Sequence, residues 1–408
     1  MLLFIAFLIV VCLTALGWYH SRDIFSPFFL VPGVWAGILL LYYIAQPDYY
    51  PIRHDFPVAL VLWVTGFLGA AWAVYYLLPE RHGLISQDII LGDDVRPNRT
   101  VINIYMVISL LVMPYMLYAL VRYGLERGEV NLFLYIRMTA VDADFDKPEF
   151  GLAAYLVPFS LMTLIFAYGY VEQKWFRWLA VGLNIVAGLT TMSKTTFFIM
   201  VIVVLYVQYR RKKVKLRTLG LVTLAFLAFS VWFQFMRSME DQQDNFSVLD
   251  MLETYTMSPC VAFDYYAEAF SASHVGEHVF RFYYAVAHAL GSDIAPADNI
   301  LKFVGVPELT NTYTILYPFY TDFGLPGVFV FAVIYGLVFG FIYRRGERRD
   351  NYYFVLYACF VCNLILQFVQ ENIFSNLSLT IQYCVLLLIP FLVGEKGEKE
   401  KQKTLTAL

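Results

Sequence analysis

The sequence predicts an all-α fold, a polytopic membrane helical bundle of about eleven transmembrane helices with a large outer-face loop. Three observations carry this. Of 408 residues, 60% are hydrophobic and only 15% charged, far less charge than a soluble surface of this size carries. Apolar stretches of bilayer-spanning length, about 20 residues, recur from one end to the other. Basic residues are also unevenly shared between alternate connecting segments, as membrane orientation requires.

In chain order the spans are expected near 2–19, 28–45, 58–78, 101–121, 152–171, 177–192, 195–209, 218–236, 325–343, 352–370 and 377–394. The first lacks a basic start and an A-x-A cleavage site, so it reads as a span and not as a signal peptide. Arg210, Arg211, Lys212, Lys213, Lys215 and Arg217 put one loop inside. Arg344, Arg345, Arg348 and Arg349 put a second there, and the Lys-rich tail 395–408 is the third. On that count 20 of the 29 basic residues lie inside and 9 outside, while the acidic residues divide 11 inside and 21 outside. The N-terminus is then outside, the C-terminus is cytoplasmic, and residues 1–408 form a single integral membrane domain. Of the five cysteines, four lie in apolar stretches; Cys359 and Cys362 form a C-x-x-C inside a helix and read as small packing residues.

Two outer loops, 122–151 and 237–324, exceed what joining two helices requires. The second carries twelve acidic residues against only Arg237, Arg281 and Lys302 as fixed cations, and it is rich in tyrosine. Such rings anchor a protein in the headgroup layer or stack on sugar faces; Tyr265, Tyr313 and Tyr317 are the candidates for sugar contact. No P-loop, H-E-x-x-H or dinucleotide-binding glycine fingerprint is present. Paired Gly/Pro-broken helices in matching halves, the mark of an inverted-repeat transporter, are missing too.

As one helix, the stretch from Arg177 to Arg210 would measure about 50 Å, too long for a hydrocarbon core of about 30 Å. It is expected to be a hairpin of two short helices turning at residues 190–195. That recesses Lys194 at a helix start, where the hydroxyls of Ser193 and Thr195 and free N–H groups would suit an anion; a snorkelling lysine beside ordinary caps is the alternative. Arg237 ends the eighth span on the outer side, as a ligand contact or an interfacial anchor. In a helix over 277–288, His278, Arg281, Ala285 and His288 would share one face, joining a permanent cation to two titratable imidazoles. A solvated surface face is the alternative. His274 and His278 have the spacing of a metal pair, but further ligands are lacking and no metal is expected. Asp322 opens Asp322-Phe323-Gly324 without any other kinase motif. Asp322 and Glu371 are each a base or a helix-end residue.

Three pieces together resemble the bacterial oligosaccharide repeat-unit polymerases, the Wzy-type O-antigen and capsule polymerases. They are Gly188-Leu189-Thr190-Thr191-Met192-Ser193-Lys194-Thr195; the loop motif from Tyr255 through Ser258, Pro259 and Asp264 to Tyr266; and the run from Asn311 through Tyr313, Tyr317, Tyr320, Asp322 and Gly324 into Gly327, Gly336 and Gly340. The likeness is clearest over 185–345. It implies a GT-C-like glycosyltransferase architecture in the inner membrane. The implied reaction moves a growing glycan from undecaprenyl diphosphate onto the next lipid-linked unit, without cofactor or metal. Lys194, Arg237, Arg281 and Ser193 would then hold the diphosphate, and His288, His278 or Asp322 would take the acceptor's proton. The partners it implies are the lipid-linked donor and acceptor, membrane lipid and a chain-length regulator, with no nucleic acid. Two departures stand out: Lys194 occupies a place where Arg is usual, and Arg281 to Gly291 gives R-x9-G, one short of the R-x10-G of some members. An O-antigen ligase, a lipid-linked oligosaccharide flippase and a non-catalytic assembly scaffold are the alternatives.

Overall fold

The computed structural model describes residues 1–45, 50–77, 95–141, 145–146, 148–211, 216–236, 255–270, 272–298, 300–306, 309–347 and 351–396. Arg237, Lys212, Lys213, Lys215, Arg348, Arg349 and the tail beyond 396 lie outside the described residues. The helices are α1 Leu2–Ser21, α2 Pro27–Ala45, α3 Asp55–Leu77, α4 Arg99–Glu126, α5 Leu132–Val141, α6 Pro158–Tyr170, α7 Lys174–Leu189, α8 Lys194–Arg210, α9 Leu216–Met236, α10 Ser258–Tyr266, α11 Arg281–Ala289, α12 Tyr317–Gly346, α13 Tyr352–Ile365 and α14 Leu377–Leu392. Short 3-10 stretches precede α6 and follow α13. Among the described residues strand is confined to two antiparallel pairs, β1 Val95–Arg96 with β4 Glu395–Lys396, and β2 Val304–Gly305 with β3 Leu309–Thr310.

A helix occupies each of the eleven apolar stretches. Among the described residues six are long and apolar enough to cross a bilayer: Leu2–Ser21, Pro27–Ile44, Asp55–Leu77, Arg99–Glu126, Gly151–Tyr170 and Tyr317–Gly346. The chain is a multi-pass helical membrane protein. By length α7, α8, α13 and α14 fall short, at 16, 17, 14 and 16 residues.

The chain divides into two compact units. The first comprises Met1–His82, Val248–Arg348 and Asn363–Thr380. Its centre is the pair α3–α12, which closes along a seam of small residues. A Cβ on Gly336 would collide with the Phe67 carbonyl, one on Gly340 with the Ala71 backbone, and one on Gly66 would crowd Ala332 and Phe329. Backbones approach this closely only where side chains are absent, and that contact replaces the hydrophobic drive that lipid cannot supply. Gln367, 1% exposed, pins the same unit: its Oε1 accepts from the indoles of Trp35 (2.8 Å) and Trp63 (3.1 Å), and its amide donates to the Val31 carbonyl (3.0 Å). The long loop is tied down by Asp264 on α10, whose carboxylate accepts from the Arg53 and Phe56 amides and so caps α3. Burial pushes its carboxyl up, partly offset by those two amides.

The second unit comprises Gly83–Ser247, Arg349–Cys362 and Ile381–Leu408. Asn98 starts α4 by accepting from Thr100 and Val101, while its amide donates to the Val393 carbonyl. Asn184 on α7 donates to the Ser160 carbonyl at 2.8 Å, joining α7 to α6. The α7–α8 hairpin turns where expected. Phe197 lies over Gly188, and Leu120, Tyr135, Ile136, Met192, Phe197 and Phe233 pack one apolar cluster behind the turn.

Candidate functional site

The ninth apolar stretch begins earlier as a helix than its hydropathy indicates. Residues Tyr317 to Phe323 form helical turns, Gly324 breaks the backbone at φ 64° and ψ −158°, and the long apolar run follows. Only glycine adopts that conformation without strain. The first turns therefore carry Tyr317 and Asp322 in their own direction, fixed apart from the span.

Asp322 has a fully buried side chain and is the hub of the site. Its Oδ1 lies 2.7 Å from His278 Nδ1, and its Oδ2 accepts from the amides of His278 (3.1 Å) and Val279 (2.8 Å). A carboxylate on Nδ1 makes that nitrogen the donor and leaves Nε2 with the lone pair when the ring is neutral. The His278 ring stands edge-on to Tyr317, with centroids 5.6 Å apart. Close by, the Arg281 Nε donates to the Ala297 carbonyl at 2.7 Å, which uses one of five guanidinium N–H donors and fixes its plane.

Opposite stands the segment after α13. The Thr314 amide donates to the Val369 carbonyl (3.1 Å) and the Ile315 amide to the Gln367 carbonyl (2.7 Å), while a single parallel bridge links Thr314 and Gln370. Thr314 takes a φ of 69°, a costly conformation for a β-branched residue, held by these bonds. Glu371 is 4% exposed and ringed by donors: the Tyr335 hydroxyl, the amides of Ile373 (2.6 Å), Phe374 (2.8 Å) and Ser375 (2.7 Å), and the Ser375 hydroxyl (2.7 Å).

Between these walls lies a cleft that opens to solvent. One wall presents His278, Arg281 and Asp298. The other presents Gln370, Glu371, Ser375 and Asn376, with Thr314, Tyr317 and Pro318 between them.

The sequence-derived candidates separate on this geometry. His278, Arg281 and Tyr317 line the cavity and Asp322 backs it. The expected continuous helical face does not form, because α11 starts only at Arg281 and His278 sits in the turn before it. His288 is at the exposed far end of α11, its ring 2.8 Å from the Ser292 carbonyl, and is not part of the cavity wall. Tyr313 is 1% exposed; its hydroxyl donates to the Lys302 carbonyl at 2.6 Å, and burial, with Tyr317 and Tyr266 adding to it, pushes the phenol well above its ordinary range. Tyr265 packs on Tyr50 and Arg53 and donates to the Pro51 carbonyl. Both serve as framework.

In the second unit Lys194 opens α8 and Ser193 is its N-cap residue, but the Ser193 side chain makes no capping bond. The neighbouring hydroxyls bond their own helix end, Thr190 to the Ala187 carbonyl (2.7 Å) and Thr191 to Gly188 (3.3 Å). Among the described residues no three His, Cys, Asp or Glu side chains cluster closely enough to hold a metal ion, and all five cysteines are free. Of the 370–376 wall the sequence points only to Glu371, as a base or a helix-end residue; Gln370, Ser375 and Asn376 carry no charge and are not singled out.

The model of the family described as "Putative O-antigen polymerase" covers residues 3–368. No curated protein matches the chain, and no solved structure matches it.

Proposed function

The chain belongs to this O-antigen polymerase family, and from that premise we propose that it polymerises undecaprenyl-diphosphate-linked repeat units at the cavity of the first unit. The observation that carries the reading is the 2.7 Å His278–Asp322 pair in a cavity that also holds Arg281. In the proposed step an acceptor sugar hydroxyl gives its proton to His278 Nε2 while its oxygen bonds the anomeric carbon of the donor glycan. The bond from that carbon to the diphosphate oxygen breaks, and the electron pair leaves on undecaprenyl diphosphate. Asp322 holds the ring in the accepting tautomer and stabilises the imidazolium that forms. The Arg281 guanidinium meets the charge growing on the leaving diphosphate, so the step calls for no metal.

The finer assignments belong to the same proposal. All eleven apolar helices cross the inner membrane in a GT-C-like arrangement, with the N-terminus periplasmic, the C-terminus cytoplasmic and the cavity on the periplasmic face, as the basic-residue balance indicates. Lys194 and Ser193, with Arg237, are proposed as diphosphate ligands in their own right from their residue types and sequence positions, and a chain-length regulator is the expected partner.

The test is polymer formation by the purified protein in lipid nanodiscs supplied with lipid-linked repeat units, with and without chelator. Wild type should polymerise in both conditions, and His278→Ala and Arg281→Ala should not while keeping the wild-type melting profile. Full activity of both variants would overturn the reading. A deletion strain should show single capped repeat units; uncapped lipid core with polymer left on the carrier would instead indicate a ligase.

A further inference from the structure

The cavity has two chemically unlike walls, and the function proposed above uses only one. Glu371 would be the obvious proton acceptor on the other, but its surroundings forbid it. A carboxylate has about four lone-pair sites, and here five donors converge on its two oxygens. That leaves no capacity for a substrate proton. The donors come from residues 373–375 and from Tyr335 of α12, so the carboxylate coils the segment after Gln370 into a fixed loop and ties it to a long helix. The Thr314–Gln370 pairing holds its other end.

That loop offers the cavity a neutral set of donors and acceptors. Gln370 gives one of its two amide N–H groups to Asn372 at 2.6 Å, which leaves the second N–H as a donor and its carbonyl oxygen as an acceptor. Ser375 spends its proton on Glu371 and keeps its lone pairs. The Asn376 amide makes no hydrogen bond among the described residues and can both give and accept. Uncharged groups of this kind in a rigid frame match sugar hydroxyls, each of which is donor and acceptor at once. They do not match a diphosphate, which needs donors and positive charge.

We infer that Gln370, Ser375 and Asn376 form a subsite that reads hydroxyls on the acceptor sugar, and that Glu371 is a positioning residue that holds this wall. The assignment rests on the polymerase reading: the ring that offers a hydroxyl to His278 lies against the opposite wall of the same cavity. Binding by neutral hydrogen bonds is equal in ground and transition states, so its loss raises KM and spares kcat.

The experiment measures polymerisation in nanodiscs with the parent lipid-linked unit and with synthetic units in which single acceptor hydroxyls are replaced by hydrogen. Asn376→Ala and Gln370→Ala should each raise acceptor KM by about three- to tenfold with kcat within about twofold. For each there should be a deoxy unit that wild type handles poorly and the variant handles as well as the parent. Glu371→Gln should raise KM for every unit and keep the pH–rate profile of wild type. A kcat loss of about 100-fold in Glu371→Gln at unchanged KM would make Glu371 a proton-transfer group and overturn its assignment. Wild-type KM and wild-type discrimination in both Asn376→Ala and Gln370→Ala would overturn the subsite, even if Glu371→Gln failed to fold. If Arg281→Ala also kept full activity, the fault would lie in the polymerase reading of the cavity; if Arg281→Ala were inactive, it would lie in the subsite alone.

Discussion

Two places in this chain bring cationic and hydroxyl-bearing residues together, and they are built in opposite ways. At the α7–α8 turn Thr190, Thr191, Ser193 and Lys194 are neighbours in sequence, and the threonine hydroxyls bond the carbonyls of the helix they follow. In the cavity of the first unit, His278 and Asp322 are 44 residues apart, yet the carboxylate holds the ring at Nδ1 and accepts from the backbone amides of His278 and Val279 beside it. A local cluster satisfies its own backbone first, because Ser and Thr reach it more easily than anything else. A long-range pair has no such local outlet, and ordering it costs chain entropy that only a specified fold recovers.

The largest effect should come from the long-range pair. Asp322→Ala leaves two amides without their acceptor and frees the His278 ring. We expect polymerisation to fall by about 10²–10⁴-fold and the fold to lose about 1–3 kcal/mol, read as chain-length profile and melting in detergent. Normal polymer would break the comparison at its stronger side. Next, Arg281→Ala should cost about 10²–10³-fold, and Arg281→Lys should recover only part, since the planar fork is lost. Lys194→Ala tests the other region. It should reduce polymer, by less than either substitution above, while the protein still inserts, and Lys194→Arg should keep activity; normal chain lengths in Lys194→Ala would reduce the α7–α8 turn to a structural joint. His288→Ala, away from the cavity wall, should change the rate by less than tenfold.

The smallest effect concerns acid stability beside the site. Burial pushes the Glu277 carboxyl up, but the His274 and Ser273 amides, the His274 side chain and the charge of His278 outweigh it, and the net shift is below the ordinary 4.5. A depressed folded value gives stability that is present above about pH 4.5 and is lost as pH falls through the folded value. With solvent screening it amounts to well under about 1 kcal/mol. Melting of wild type and Glu277→Gln should therefore differ slightly at pH 6 and converge on acidification; a gap that widens in acid would reverse the sign of this contribution.

Much of the fold was legible because hydropathy over 20-residue windows reports burial in lipid directly, and helices fall on every apolar stretch. Hydropathy could not find the start of α12, because Tyr317 to Phe323 is polar enough to read as loop while the backbone there is helical. The residues His278, Arg281 and Asp322 were individually visible as outer-face charges, but their pairing was not, since it depends on a turn at 275–280 that breaks the expected helix. Most of the opposite wall stayed hidden for a related reason. Glu371 looks like a helix-end acid until its five donors are seen, and Gln370 and Asn376 carry no charge to draw notice.

A helix that crosses a bilayer tilts when the membrane is thicker or thinner than its apolar length. Were α12 continuous, any such tilt would swing Tyr317 and Asp322 through the cavity, since they ride on its outer end. The break at Gly324 removes that lever. The turns before the break are held by His278 and Val279 and by the strap at Thr314, independently of the apolar run that follows. If the cavity is the reaction centre proposed above, one glycine would keep its geometry separate from the tilt of the span.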